Sequence, residues 1–477
     1  MPHDDTAEHI SAEGLAAQIP AGFLIGTATA AAQIEGAIDE PTRTSSVWDS
    51  FSSQPGRIVD GSTTAVTADH FHRRSEDVAL MRDLGADAYR FSLGWTRLQP
   101  GGSGPLDAAG VSFYDRLLDE LHEAGISPFV TLSHWDLPVE YEQGWLDRDT
   151  AHRFGEFAGL VAERFGDRVD AWITINEPAT VTLNGYALGL HAPGRSLLFD
   201  ALPTVHHQLL GHGLAVQALR AASVSGQVGI SNAHTPVLPA SDSEQDAAMA
   251  LLFDVIHNRV FADPVLLGHY PEVPPEMADL FGAFSAVPAE DLDIISQPLD
   301  FYGLNYYMPS SVAAGAGTGE SPDGVSEAMA DLPFQLLPLD EYETTGFGWP
   351  IAPEYLGVVL GQLRDRYGDA LPPVFITESG ASFDDVAAAD GSVSDPRRVD
   401  YVARHLSSAL SAVTLGGPAD GVDLRGFFVW SLLDNWEWAA GFTQRFGLVH
   451  VDFDTGQRTP KTSYRYLQNV FRQRRVT

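Results

Sequence analysis

The 477-residue chain has no cysteine, a single lysine at Lys461, and no apolar run approaching the ~18 residues of a membrane span. The first absence excludes disulfides, thiolate nucleophiles and cysteine-ligated metals. The last makes membrane insertion an unexpected role. Arginine supplies nearly all the positive charge, and the excess of acids sets a formal net charge of −36. A field of that sign repels phosphate backbones and suits a neutral substrate better than an anionic one, so nucleic acid is not an expected partner. The first 20 residues also lack the basic start and apolar stretch of a secretory signal, which makes a cytoplasmic protein the expectation. No Pro/Ser/Gly-rich linker divides the chain. One domain over residues 21–472 is therefore expected, between a polar N-terminal extension (1–20) and a short C-terminal tail (473–477).

Short β-type runs alternate with helix-patterned stretches. The strands are predicted at Phe23–Thr27, Ala88–Ser92, Pro128–Leu132, Ala171–Ile175, Gln227–Ser231, Asp300–Leu304, Pro373–Thr377 and Gly426–Trp430. Between them the three-and-four spacing of apolar residues predicts helices such as Ser75–Leu84, Ala108–Ala124, Asp149–Phe165, Thr204–Ala222, Ala352–Tyr367 and Arg397–Leu415. Eight βα units predict an α/β fold, a single (β/α)₈ TIM barrel with elaborated loops on its C-terminal face. Residues 311–345, rich in Ser, Gly, Ala, Asp and Glu, read as a mobile rim loop after the sixth strand, and 239–247 as a shorter one.

In such a barrel the chemistry gathers just after each strand. Two glutamates stand there: Glu177 in Ala171-Trp-Ile-Thr-Ile-Asn-Glu-Pro178 and Glu378 in Pro373-Val-Phe-Ile-Thr-Glu-Ser-Gly380. If both strand exits open on one rim, the carboxylates face a common cleft, which is what glycosidic hydrolysis needs. Taken alone, either could be a strand-end acid paired with arginine. The other exits carry Gln33, Arg90, His134-Trp135-Asp136, Asn176, Asn232, Asn305-Tyr306-Tyr307, Trp430 and Asn435-Trp436-Glu437-Trp438. Amides, aromatics, one histidine and carboxylates suit a polyhydroxylated ring held by its edge and its face. Asp69-His70-Phe71-His72 reads as structural rather than metal-binding, and no metal or cofactor is expected.

The chain resembles glycoside hydrolase family 1, the β-glucosidase family, from Phe23 to about Tyr466. The resemblance is carried by Ala32-Gln-Ile-Glu-Gly-Ala37, Tyr89-Arg-Phe-Ser92, Thr131-Leu-Ser-His-Trp-Asp-Leu-Pro138, Thr174-Ile-Asn-Glu-Pro178, Gly303-Leu-Asn-Tyr-Tyr307, Ile376-Thr-Glu-Ser-Gly380 and Trp430-Ser-Leu-Leu-Asp-Asn-Trp-Glu-Trp438. It implies a retaining β-glycosidase with Glu177 as general acid and base and Glu378 as nucleophile, supported by Arg90, Tyr307 and Asn305. Gln33, His134, Trp135, Asn176, Glu437 and Trp438 are implied to contact the sugar, with Trp430 as floor and Phe446 nearby. Trp349 is implied as the leaving-group platform; Tyr186 and His191 are weaker candidates for the outer cleft.

The expected substrates are small β-glucosides or short oligosaccharides, with β-galactosides and β-fucosides as side substrates. Glu437 and the lack of lysine after the eighth strand argue against 6-phosphosugars. Ser379 stands where the family usually has Asn, and Ile25 and Ala32 replace a common Trp and Tyr. A transglycosidase of the same fold is one alternative, separated by product analysis with added acceptor. A non-catalytic sugar-binding protein is another, separated by turnover of aryl β-glycosides.

Overall fold

The computed structural model describes residues 10–40, 43–321 and 324–475. Eight parallel strands close into one barrel: β1 Leu24–Ala28, β2 Ala88–Ser92, β3 Ser127–Ser133, β4 Ala171–Asn176, β5 Gln227–Ala233, β6 Phe301–Asn305, β7 Val374–Ser379 and β8 Leu424–Trp430. Closure is by β1 against β8, with Leu24 opposite Gly426 and Ala28 opposite Trp430. Each lies within a residue or two of its predicted bounds. The expected barrel is the observed one.

Alternate residues of each strand point inward. Low in the barrel this puts Phe129, Phe301, Phe375 and Phe428 together, with ring centroids 4.8 Å apart for Phe129 and Phe428 and 5.4 Å for Phe301 and Phe375. Space for these rings comes from missing side chains: a Cβ on Gly26 would lie 2.5 Å from the Phe428 ring. The phenyl layer plugs the barrel, so the cleft above it has a solid apolar base.

Outside, amphipathic helices bury their apolar stripes on the strands. Helix Ala108–Ala124 begins where the Asp107 carboxylate accepts from the backbone N–H of Ala109 and Gly110 and ends at left-handed Gly125; it buries Phe113, Tyr114, Leu117 and Leu121. The helix predicted from Ser75 starts earlier, at His70, because its polar first turns hide the pattern. There His70 Nδ1 lies 2.7 Å from Asp77, which also binds Arg458, so this histidine serves an internal ion pair. No described helix is long and apolar enough to cross a membrane.

Four expectations need correction. Residues 311–345 hold a sheet: Ser310–Ala314 pairs with Phe334–Leu337 and with Val237–Pro239, and helix Glu244–Asp254 packs on it. Few apolar residues, Val312 and Phe334 among them, are buried there, and Ser and Gly masked them in the sequence. Residues 239–247 accordingly end a strand and start that helix. Nor is the segment from Ile10 a solvated extension. Ala12–Ala16 is a helix that buries Leu15 against the terminal helix Thr462–Arg474, where the Tyr466 hydroxyl donates to Ile10 O at 2.8 Å. Residues 1–9 lie outside the described residues. At the other end the terminal helix passes residue 472, and Arg474 pairs with Asp87 at 2.6 Å.

Lys461 is fully buried, its Nζ 2.6 Å from Asp385 and 2.7 Å from Asp434. Asp434 also accepts from Arg445 at 2.7 Å and from Gly447 N at 2.9 Å. Burial opposes the Asp434 charge, but Lys461 and Arg445 outweigh it and hold its pKa below the ordinary value. This cluster ties the loop after β8 to the start of the terminal helix. Lys461→Met removes the one cation that Asp385 and Asp434 share and leaves each with a single arginine, Arg398 and Arg445, and a loss of about 3 kcal/mol is expected in denaturant unfolding. An unchanged midpoint would contradict that role.

Candidate active site

Both glutamates reach the rim because their strands break register. On β7 the pairing with β6 shifts between Ile376 and Glu378, so Thr377 and Glu378 both face the barrel interior instead of alternating. Ser379 then turns outward, where its hydroxyl lies 3.4 Å from Tyr401; the family's departure at this position is therefore remote from the cleft. On β4 a similar shift against β5 precedes Asn176. Glu177 follows with left-handed backbone at φ 46°, and Pro178 opens a short helix. A non-glycine residue there is strained, which is common at functional positions; Trp135 and Trp438 share the conformation.

Glu378 is 3 % exposed. Its Oε1 pairs with Arg90, and its Oε2 accepts from the Tyr307 hydroxyl at 2.7 Å. Burial, then the Glu378 charge, pushes the Tyr307 hydroxyl well above its ordinary pKa, so it remains a donor. Glu177 has only neutral partners: Asn305 Nδ2 donates to Oε1 at 2.7 Å and Thr180 Oγ1 to Oε2 at 2.8 Å. Burial, then the neighbouring Glu378 charge, raises its pKa to about 7. Two carboxyl groups sharing one cleft thus have opposite settings.

One hydrogen-bond chain orients the polar side chains. Asn176 Oδ1 accepts from Arg90 at 2.6 Å and from Asn305 at 3.0 Å, which turns its Nδ2 toward His134 Nε2 at 3.1 Å. His134 must accept there, so its proton sits on Nδ1. Burial, then the Arg90 charge, lowers the His134 pKa well below the usual value and keeps the ring neutral. That Nδ1 has no partner. Gln33 Nε2 donates to Asn435 at 2.9 Å, Trp436 O at 3.1 Å and Glu437 at 3.2 Å, and its buried Oε1 is also unpartnered. An unmet donor and an unmet acceptor are what a hydroxylated ligand satisfies.

Around these groups lies a cavity of about 520 Å³. His134, Glu177, Asn305, Tyr307, Glu378 and Glu437 border it. So do the aromatic residues Trp135, Trp349, Trp430, Trp438 and Phe446. Trp430 stacks on His134 with centroids 5.8 Å apart, Trp135 packs on Trp438 at 4.5 Å, and Trp349 meets Tyr307 at 5.4 Å. Gln33, Arg90 and Asn176 are buried just beneath, held by the hydrogen bonds above. His191 also borders the cavity. Tyr186 does not; its buried hydroxyl accepts from Trp145 N at 2.9 Å. Asn232 is likewise internal, donating to the Tyr302 hydroxyl at 2.7 Å.

Sequence reading missed a supporting layer. Ser231 and Thr377 share a hydrogen bond of 2.6 Å, and Thr377 donates to Asn305 Oδ1 at 2.7 Å, which turns the Asn305 amide toward Glu177. A Cβ on Gly303 would lie 2.4 Å from the Ser231 hydroxyl, so glycine makes room for this contact. The available signal was periodicity: inward positions of apolar strands that carry hydroxyls.

Glu437 is a third acid here. Burial, then the Glu378 charge, raises its pKa to about 8. Since its folded pKa lies above its ordinary 4.5, stability present below pH 4.5 is lost as pH rises toward 8. Glu437→Gln is therefore expected to raise Tm by about 1–3 °C at pH 9 and hardly at all at pH 4.5, read by calorimetry. An equal shift at both pH values would contradict the buried acid.

Comparison with known proteins agrees with this geometry. The family model described as Glycosyl hydrolase family 1 matches residues 15–476. The β-glucosidase A of Acetivibrio thermocellus is 40% identical over 455 residues, 95% of this chain and 98% of that protein. A bifunctional β-D-glucosidase/β-D-fucosidase of Bifidobacterium breve is 39% identical, covering 93% and 96% of the two chains. Among solved structures, the psychrophilic β-glucosidase BglU of Micrococcus antarcticus superposes with a TM-score of 0.88 at 44% identity, covering 95% and 97%. The chain belongs to glycosyl hydrolase family 1.

Proposed function

We propose that the protein is a retaining β-glucosidase that hydrolyses terminal, non-reducing β-D-glucosyl residues, with β-galactosides and β-fucosides as side substrates. The observation that carries the assignment of roles is the contrast between the two glutamates. Arg90 and Tyr307 stabilise the Glu378 carboxylate, which suits a nucleophile. Glu177, with a pKa of about 7 and neutral partners, suits the acid.

In the first step Glu378 attacks the anomeric carbon while Glu177 gives its proton to the departing oxygen. The glycosyl-enzyme formed has no charge on Glu378, so burial alone still raises the Glu177 pKa and the repulsion from Glu378 is gone. Glu177 then ionises more readily and draws a proton from the incoming water. Asn176 can give its remaining N–H to the 2-hydroxyl, where contacts tighten in the oxocarbenium-like transition state. Gln33 Oε1, His134 Nδ1 and Glu437 offer partners for the remaining hydroxyls, and Trp430 an apolar floor. Glucose and galactose differ at the 4-hydroxyl, which Gln33 and Glu437 would contact. Proton NMR of an aryl β-glucoside digest tests the reading: β-glucose must appear first and mutarotate afterwards. Initial α-glucose would overturn it.

A further inference from the structure

The Glu177 carboxyl is held by two donors that differ in kind. Asn305 Nδ2 donates to Oε1 at 2.7 Å and Thr180 Oγ1 to Oε2 at 2.8 Å. The Asn305 amide cannot turn away. Its Oδ1 accepts from Thr377 at 2.7 Å, and its Nδ2 also donates to Asn176 Oδ1 at 3.0 Å, which Arg90 holds at 2.6 Å. A flip would set Asn305 Oδ1 against Asn176 Oδ1 and leave Thr377 without its acceptor. The Thr180 hydroxyl is different: it turns about one bond and can accept as well as donate.

The backbone fixes where that hydroxyl stands. Thr180 closes the short helical turn Pro178–Thr180 that follows Glu177, and Val181 N donates to Glu177 O at 3.3 Å. Beneath the turn, Gln208 Nε2 donates to Pro178 O at 3.3 Å and to Thr182 Oγ1 at 2.9 Å. Thr182 and Gln208 are buried, whereas Thr180 is half-buried and borders the cavity beside Glu177. Oε1 must keep accepting from a fixed N–H, so Oε2 is the oxygen that can take a proton without orphaning its donor. When Glu177 is ionised, Thr180 donates to Oε2; when a proton sits there, the hydroxyl turns and accepts. A hydrogen bond to a carboxylate is roughly twice as strong as one to a neutral acid, so over both states the hydroxyl favours the ionised form. It thereby opposes burial and the Glu378 charge, which raise the Glu177 pKa.

We propose that Thr180 is a positioning residue for the proton transfers of Glu177: its rotating hydroxyl makes Oε2 the oxygen that gives and takes the proton, and stabilises the carboxylate left behind. This rests on the β-glucosidase reading and adds a residue to that same site. In the first step the Oε2–H bond breaks, its proton goes to the departing glycosidic oxygen and its electron pair stays on Oε2, onto which the Thr180 O–H swings. In the second, Oε2 takes a proton from the water whose oxygen attacks the anomeric carbon. The bond to Glu378 breaks, its pair returns to that carboxylate, and the Thr180 hydroxyl turns back.

The test is Thr180→Val, which keeps the shape and removes the hydroxyl, beside Thr180→Ser, which keeps the hydroxyl. The other charged or titratable groups around Glu177 are Glu378, Arg90, Tyr307 and Glu437, and neither variant alters them. Burial keeps the cavity's histidines, His134, His191, His234 and His257, below their usual pKa and neutral there. The native alkaline limb of kcat/KM is expected near pH 7. In Thr180→Val it is expected to move up by about one pH unit, and in Thr180→Ser to coincide with the native limb. A merely structural disturbance lowers the rate without moving the limb. A valine limb that coincides with the native one, or a serine limb displaced as far as the valine one, overturns the proposal and leaves the β-glucosidase reading intact. If the native protein cleaves no β-glucoside, that reading fails. The proposal is then decided by carbon-13 NMR of protein labelled at the glutamate carboxyl carbon, with the Glu177 resonance identified by its absence in Glu177→Gln. Its titration midpoint must lie higher in Thr180→Val than in the native protein; equal midpoints overturn it.

Discussion

Glu378→Gly is expected to lower hydrolysis of β-glucosides by a factor on the order of 10⁵, the scale on which an enzyme loses a covalent nucleophile. The substitution removes the attacking oxygen and leaves a small hole beside Arg90 and Tyr307, which had bound Glu378. A guanidinium and a hydroxyl facing an empty space favour a small anion. Added azide or formate is therefore expected to restore part of the turnover of an activated aryl glucoside, with Glu177 still able to protonate the leaving oxygen. Because the anion enters from the side that Glu378 occupied, azide rescue must yield the α-glucosyl azide. A β-configured azide would place the nucleophile elsewhere.

The second large effect concerns the partner acid. Glu177→Ala is expected to slow glycosides with poor leaving groups, such as alkyl glucosides, by about 10²–10⁴-fold, the usual yield of general acid catalysis. A 2,4-dinitrophenyl glucoside needs no protonation, so its first step loses far less. The pH profile gives an independent reading. With the acid form required and a pKa of about 7, kcat/KM of the native enzyme falls as pH rises through 7. In Glu177→Ala that alkaline limb is expected to vanish for the dinitrophenyl substrate. A limb that persists at the same pH would assign the titration to another group, such as Glu437, which borders the same cavity with a pKa of about 8.

The barrel was legible because its strands are short apolar runs that stop abruptly at Pro178 and Gly380, and hydrophobic period alone marks them. The two glutamates were legible as residues but not as geometry. A strict alternation that sends Phe375 and Thr377 inward would send Glu378 outward, and only the shifted register on β7 corrects this. Ser231 and Thr377 were passed over because a hydroxyl inside an apolar strand looks like ordinary β propensity. The rim sheet escaped for the opposite reason: its strands are short and polar, and pairing rather than composition defines them. Gln33 owes its place to Asn435 and Glu437, some 400 residues away in the chain, a proximity that no local pattern encodes.

The single lysine has a consequence for chemical handling. Its amine is enclosed by Asp385 and Asp434, and no other side chain in the protein carries one. Succinimidyl esters, glutaraldehyde and other acylating or cross-linking agents therefore find no ε-amine on the outer surface. The folded protein can be tagged through carboxylates by carbodiimide coupling, whereas uptake of an amine reagent at position 461 would report that the interior has opened.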